Sequence, residues 1–276
     1  MYKKFLIIAS KQDTAGVNIT TQLSQFRKNP LLTTIDKNQK GFDFYLIENS
    51  ILHEENLDLE KLNKYDFIIF ASKHQSEKQE KTLSIHAPGN WDQAELGGKP
   101  NKLAKTSALF QKQLFEKLKQ NIDQHELKRY NLTLECTHHG PLINIPCLFI
   151  EIGSTETEWK DRKAAFIVAK TISDTINEFK ENPYNEIAIG VGGPHYCPNF
   201  NKIQLNSNIA LSHIIPKYAL PLTQEKLKQA IHNTDEEIDF AVLDWKGLGT
   251  KEIRDKTIKI LEDNYIQWKK TGEVEK

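Results

Sequence analysis

Five of the nine histidines in this chain of 276 residues stand at or just beyond the ends of apolar runs: His74, His86, His138, His139 and His195. Imidazole can ligate a metal, relay a proton or bond a carboxylate near neutral pH. Open α/β sheets place their ligands at such strand ends. The segments are Ser72-Lys73-His74-Gln75-Ser76, His86-Ala87-Pro88-Gly89-Asn90, Glu135-Cys136-Thr137-His138-His139-Gly140-Pro141 and Gly193-Pro194-His195-Tyr196. One of them alone would read as a satisfied loop histidine; four together point to a site. Glu151 closes a further apolar run, where a lone carboxylate needs a metal, a histidine or backbone N–H groups as partner. Helix capping ahead of Ser154 and Thr155 is the alternative for it.

Neutral imidazoles and carboxylate oxygens suit a zinc ion with an open position, which brings the pKa of bound water down towards ~7 and makes a hydroxide nucleophile. No HExxH signature is present, so the pattern makes zinc a candidate and no more. Side chains alternate along a strand, so Glu135, Thr137 and His139 should share one face, and Cys136 and His138 the other. On that reading His138 and His139 do not bind one metal, unless the Gly140-Pro141 turn breaks the alternation at His139. Ser10, Ser72 and Ser76 lack a GxSxG elbow, which weakens a serine hydrolase. Gly190-Val191-Gly192-Gly193 lacks the Walker lysine and the full GxGxxG spacing, and reads as a tight turn that lets backbone approach a ligand.

The elements that must position these groups follow from apolar patterning. Consecutive apolar residues at Phe5–Ala9, Phe67–Ala71 and Cys147–Ile150 predict strands covered on both faces. Further strands are expected near 42–48, 131–137, 186–191, 208–215 and 238–243. Ala165, Ala169, Ile172, Ile176 and Phe179 step as a helix face, with Thr155 and Glu158 as a capping box at its start. Leu103, Phe110, Leu114 and Leu118 predict a second helix, and Ile258, Leu261, Tyr265 and Trp268 a third. Alternating strands and helices give an α/β fold, a mainly parallel or mixed sheet with helices on both faces, with residues 1–276 as one domain. The breaker-rich stretch 87–102 reads as a functional loop.

Lysine plus arginine (37) equals aspartate plus glutamate (37), so no overall field attracts nucleic acid or anionic lipid. Any polyanion needs a local patch. Residues 98–130 offer one, with eight basic residues, Lys112, Lys117 and Lys119 among them, against three acidic ones. A phosphate footprint and a solvated helix face both fit it. The apolar runs fall far short of the roughly 20 residues that a membrane helix needs. The N-terminus lacks a signal-peptide pattern, so a cytoplasmic monomer is expected rather than a membrane protein or an obligate oligomer. Three cysteines without a CxxC pair argue for free buried thiols.

Beyond the individual motifs, their set resembles a known family. Asp13-Thr14-Ala15-Gly16-Val17-Asn18-Ile19, the four histidine segments, Glu151-Ile152-Gly153-Ser154 with Glu158-Trp159, His213-Ile214-Ile215-Pro216-Lys217-Tyr218 and Asp244-Trp245-Lys246-Gly247-Leu248 run in order along nearly the whole chain. Together they resemble the archaeal and plant type of D-aminoacyl-tRNA deacylase, with Cys197 in place of an expected small residue. The resemblance implies a zinc-dependent hydrolase that cleaves the ester between a D-amino acid and the tRNA 3′ end. It also implies a fold similar to peptidyl-tRNA hydrolases and nucleoside phosphorylases. His139, His195 and Glu151 are then assigned to zinc, with His86 and Glu135 as reserve ligands or general base, and His138 beside them. Lys73, His74 and the Gly192 and Gly193 N–H groups are assigned to the oxyanion or the terminal nucleotide. Tyr196, Lys217 and Lys246 fall in motif segments and are assigned to substrate, although a buried ion pair of Lys217, Asp244 and Lys246 fits equally. Two alternatives remain: a metal-dependent amidase or phosphorylase-like enzyme on the same scaffold, and a non-catalytic tRNA-binding module.

Overall fold

The computed structural model describes residues 2–26, 41–54, 62–181, 183–184 and 186–274. Its strands form two larger sheets and a ribbon rather than one continuous sheet. The first sheet holds β1 (Lys4–Ser10), β2 (Gly41–Ile47), β3 (Phe67–Gln75), β4 (Thr82–His86), β7 (Asn131–Leu134) and β8 (Cys147–Ser154), in the order β2-β1-β3-β8-β4-β7. All pairs are parallel except β4 with β8. The second sheet holds β9 (Glu186–Val191), β10 (Ile209–Ile215), β11 (Phe240–Leu243) and β12 (Gln267–Lys270), all parallel, in the order β10-β9-β11-β12. β5 (Gly89–Asn90) and β6 (Lys102–Leu103) form the ribbon inside the breaker-rich stretch.

Period-two alternation gives the first sheet two apolar faces. Phe5, Ile7, Ile69, Ala71, Leu148 and Ile150 belong to a core cluster that runs on into the second sheet, through Ile189, Leu211 and Val242. Leu6, Ile8, Ile68, Phe70 and Phe149 point the other way into a smaller cluster. Along that second face β3 changes from Phe70 to Ser72 and His74, and β8 from Phe149 to Glu151. The register pairs Phe70 with Phe149 and Ser72 with Glu151, so an apolar floor turns polar at one level on both strands.

The helices follow their start signals. Helix α1 (Thr14–Leu23) is capped by Asp13, whose side chain accepts from the Gly16 N–H. Helix α2 (Ala108–Gln124) starts at a Ser107 cap, with Leu103 left in the ribbon, and packs against β10. Thr155 and Glu158 do form a capping box, on the single turn α3 (Glu156–Trp159). The long helix α4 (Arg162–Glu178) starts afresh at an Asp161 cap. The expected helix through Tyr265 and Trp268 is a correction: α5 (Pro198–Asn206) and α6 (Gln224–His232) come first, and α7 (Lys251–Asp263) then ends before Tyr265, at φ +59°. Trp268 lies on β12. The three cysteines are buried free thiols, and no helix among the described residues is long and apolar enough to cross a membrane.

One buried cation joins the layers. Lys112, expected at a phosphate-binding surface, is fully buried on α2. Its ammonium donates to the Gln204 and Ser207 carbonyls at 2.6 and 2.9 Å and pairs with Glu116 at 2.9 Å. Burial pulls its pKa down against the pull of Glu116. Lys112 cannot reach a phosphate. Lys112→Ala should strip two carbonyls of their donor and destabilise by at least about 2 kcal/mol in denaturant melts, whereas Lys119→Ala, at a half-buried position paired with Asp123, should stay within about 0.5 kcal/mol. Equal midpoints for the two variants would contradict this.

His213 on β10 is fully buried. It donates from Nε2 to the Asn233 carbonyl at 3.2 Å and meets the Thr137 hydroxyl at Nδ1, 3.1 Å away. Burial lowers its pKa to about 4. The unfolded chain therefore binds this proton near its ordinary value of about 6.5 and the folded chain does not. The stabilisation is full above that value and is lost as pH falls towards 4, by about 2 kcal/mol between pH 7 and pH 5. His213→Asn should flatten that slope in urea melts at the two pH values; an unchanged slope would refute the assignment.

Candidate active site

A cavity of about 470 Å³ opens at the polar level of the first sheet, lined by Ser10, Asp13, Ser72, Lys73, His74, His138, His139, Glu151 and His195 among others. Leu96, from the breaker-rich stretch, also lines it. The decisive segment is 135–139, which changes partners residue by residue. Glu135 N–H donates to Ile85 of β4, Cys136 N–H to His195, and Thr137 N–H to Ile214 of β10, while the His138 and His139 carbonyls both accept from Gly89. The segment is thus the seam between the two sheets. β7 ends at Leu134, and His139 adopts φ +45°, so the strand alternation expected for 135–139 does not apply.

Freed from alternation, adjacent His138 and His139 come together with His86, their ligand atoms within 4.8 Å of one another. Each of the three turns Nδ1 to a backbone carbonyl: His86 to Ala87 at 3.3 Å, His138 to Cys136 at 2.8 Å and His139 to Gly140 at 2.7 Å. A carbonyl only accepts, so Nδ1 carries a hydrogen, and in the neutral ring Nε2 then keeps the lone pair that a metal takes. His86 is held flat against Phe149, ring planes 3° apart. Its Nε2 is buried without a hydrogen-bond partner among the described residues, with Glu151 Oε1 at 3.8 Å, beyond hydrogen-bond range. Burial, then the neighbouring imidazoles, push His138 well below its ordinary pKa and His139 to about 4.

A second set surrounds two buried carboxylates. His74 Nδ1 stands 3.1 Å from Glu135 and 3.5 Å from Glu151, and its Nε2 meets the Tyr196 hydroxyl at 2.9 Å. Gly153 supplies the room for that ring, since a Cβ there would stand 2.6 Å from His74 Cδ2. His195 Nε2 donates to Glu135 Oε2 at 2.8 Å. Its Nδ1 lies 3.4 Å from Cys136 Sγ and 3.5 Å from the Tyr218 hydroxyl. Burial alone would raise both carboxyls, but the facing histidines win, holding Glu135 at about 2 and Glu151 lower still than the usual range. Burial likewise opposes charge on His74 and His195. The facing carboxylates outweigh it for His74, and Cys136 with Glu135 outweighs it for His195, which rises to about 10.

The sequence-assigned ligands His139, His195 and Glu151 fall into three different groups: His86 with His138 and His139, Cys136 with His138 and His195, and His74 with Glu135 and Glu151. Glu151 lies inside β8 and caps no helix. The Gly192 N–H is taken by the Ile215 carbonyl, so it is not an oxyanion donor. Gly192 and Gly193, at φ +95° and +86°, form the turn that delivers His195. Lys73 lines the cavity with its ammonium over Trp159. Lys217 and Lys246 are exposed, which excludes the buried ion pair; Asp244 instead accepts from Asn199 and the Gly247 N–H. Lys117 and Lys119 pair with Glu178 and Asp123 and, like Lys112, do not line the cavity. The contacts of Cys136 and Tyr218 with His195 had no local signal, since the three residues meet only through the fold.

This arrangement has close relatives. A family model for D-aminoacyl-tRNA deacylase matches residues 61–269. A D-aminoacyl-tRNA deacylase of Thermococcus onnurineus is 36% identical over 258 residues, covering 88% of this chain and 91% of that protein. One of Methanocaldococcus jannaschii is 32% identical over 275 residues, covering 97% and 99%. The backbone also matches a crystal structure described as a conserved protein of unknown function, AF0625, with a TM-score of 0.87 at 32% identity, over 99% of this chain and 96% of that one. The match spans the seam, both sheets and every histidine of the cavity, and the chain therefore belongs to the D-aminoacyl-tRNA deacylase family.

Proposed function

We propose that the chain hydrolyses the ester between a D-amino acid and the 3′-terminal ribose of tRNA, with zinc held by His86, His138 and His139. The observation that carries the metal assignment is the shared backbone anchoring of these three imidazoles through Nδ1, each ring offering a ligand atom within 4.8 Å of the other two. Zinc bound there would supply Lewis acidity to water and to the ester carbonyl. The remaining steps belong to side chains. Glu151 lines the cavity and can accept a hydrogen bond from the attacking water. His195 is braced through Nε2 by Glu135, and its Nδ1, held only by long contacts, is the nitrogen available to give a proton to the leaving ribose oxygen. His74 bridges both carboxylates through Nδ1.

An amidase or phosphorylase-like activity would use the same cluster, and the family membership favours the deacylase. A purely tRNA-binding module is disfavoured because backbone binding needs exposed lysine and arginine, while this cavity is built from buried histidine and glutamate.

Zinc should copurify, chelation should abolish hydrolysis, and added zinc should restore it. His86→Ala, His138→Ala and His139→Ala should each lose metal by elemental analysis. Full activity in a metal-free preparation would overturn the zinc assignment. His195→Gln, whose amide can still donate to Glu135, should keep its metal and its fold yet lose at least ~10²-fold in turnover; a metal-replete variant at the parental rate would make His195 structural. In single-turnover assays, D-tyrosyl-tRNA should be hydrolysed well ahead of L-tyrosyl-tRNA, because a site that fixes amine, carbonyl and adenosine leaves one direction for the side chain. Equal rates for the two hands would refute the deacylase reading.

A further inference from the structure

We propose that Tyr218 is the stacking platform for the 3′-terminal adenine of the tRNA, an inference that rests on the deacylase reading and adds a nucleotide subsite to it. Four large hydrophobic side chains are exposed among the described residues, and Tyr218, 61% exposed, is the one that touches His195. Its ring is not a loose surface group. The hydroxyl is tethered 3.1 Å from Cys136 Sγ and 3.5 Å from His195 Nδ1. Its backbone turn is anchored where the Lys217 N–H donates to the Gly193 carbonyl at 2.9 Å. A fixed aromatic face left open to water beside a reactive histidine is what a planar ligand needs, because the ordering cost is met before binding.

The chemistry of the substrate says which planar ligand. The scissile ester sits on the ribose of the last nucleotide, so its base is one sugar removed from the reacting carbonyl. Any platform for that base must lie within one nucleoside of the group that serves the leaving oxygen. Tyr218 meets this condition through its contact with His195. Tyr196, the other aromatic beside His195, has its hydroxyl engaged by His74 and is only partly exposed. Next to the platform, exposed Lys217 suits the phosphate that joins the last two nucleotides.

The test is a binding cycle with uncharged tRNA, either complete or lacking its terminal adenosine, against the parent chain, Tyr218→Ala and Tyr218→Phe. The parent should lose roughly 5- to 150-fold in affinity when the adenosine is removed, the range of one base–aromatic stack. Tyr218→Ala should bind complete tRNA more weakly by a similar factor and be indifferent to the truncation. Tyr218→Phe, which keeps the ring, should discriminate as the parent does. A Tyr218→Ala chain that still discriminates fully, or a parent that does not, overturns the platform. Hydrolysis of D-tyrosyl-tRNA by the parent chain is scored separately. Its absence alongside an intact binding cycle would sink the deacylase reading and leave the platform standing as a tRNA-end subsite.

Discussion

Two carboxylates, Glu135 and Glu151, are buried almost completely, and the site is organised around that fact. An isolated buried carboxylate is expensive, and removing one partner of a buried pair leaves an uncompensated charge. No lysine or arginine among the described residues pairs with either. Their partners are imidazoles: His74 and His195 for Glu135, and His74 for Glu151. Such a cluster stands only if every histidine is delivered to its place. The fold supplies this by bringing β3, β4, β8, the seam and the Gly192-Gly193 turn to one cavity wall.

The seam explains why the cluster could not be assembled by strand geometry alone. A strand keeps its partner, and its side chains alternate. Residues 135–139 pass from β4 to the second sheet to Gly89 within five positions, and each hand-over resets the direction of the next side chain. His213 and Thr137 hold the hand-over from below: the Thr137 hydroxyl accepts from the Ile214 N–H and meets His213 Nδ1. The site and the contact between the two sheets are therefore one piece of structure.

This bounds what was legible in the sequence. Strands such as Phe5–Ala9, Phe67–Ala71 and 186–191 follow from apolar runs because burial on both faces needs nothing beyond local composition. The isolated carboxylate at 151 announced its need for partners in the same way, and histidine proved to be the partner. What failed depended on distant contacts. Lys112 sat in a basic stretch yet anchors two carbonyls in the interior, since nothing local says which lysine of an amphipathic helix faces inward when carbonyls wait there. Tyr265 and Trp268 kept helical spacing past α7, but the chain turns at Tyr265 and gives Trp268 to a strand. The sequence-assigned zinc ligands were taken from strand ends, which identifies the neighbourhood and not the groups within it.

Within that neighbourhood one residue type is held in two protonation states by two kinds of acceptor. His86, His138 and His139 give their Nδ1 hydrogens to backbone carbonyls, which bear no full charge. Burial and mutual repulsion then hold His138 and His139 neutral. His74 and His195 face carboxylates instead, and the charge of those partners outweighs the same burial. Groups whose surroundings push their pKa values apart are the natural division between ligand and proton carrier. Here the division is drawn by backbone on one side and by Glu135 on the other. Glu135 is also the joint between the sets, since His138 Nε2 lies 3.5 Å from the carboxylate that braces His195. A cation drawn to the neutral imidazoles would be felt through Glu135 at His195, so the two sets of histidines share one electrostatic field.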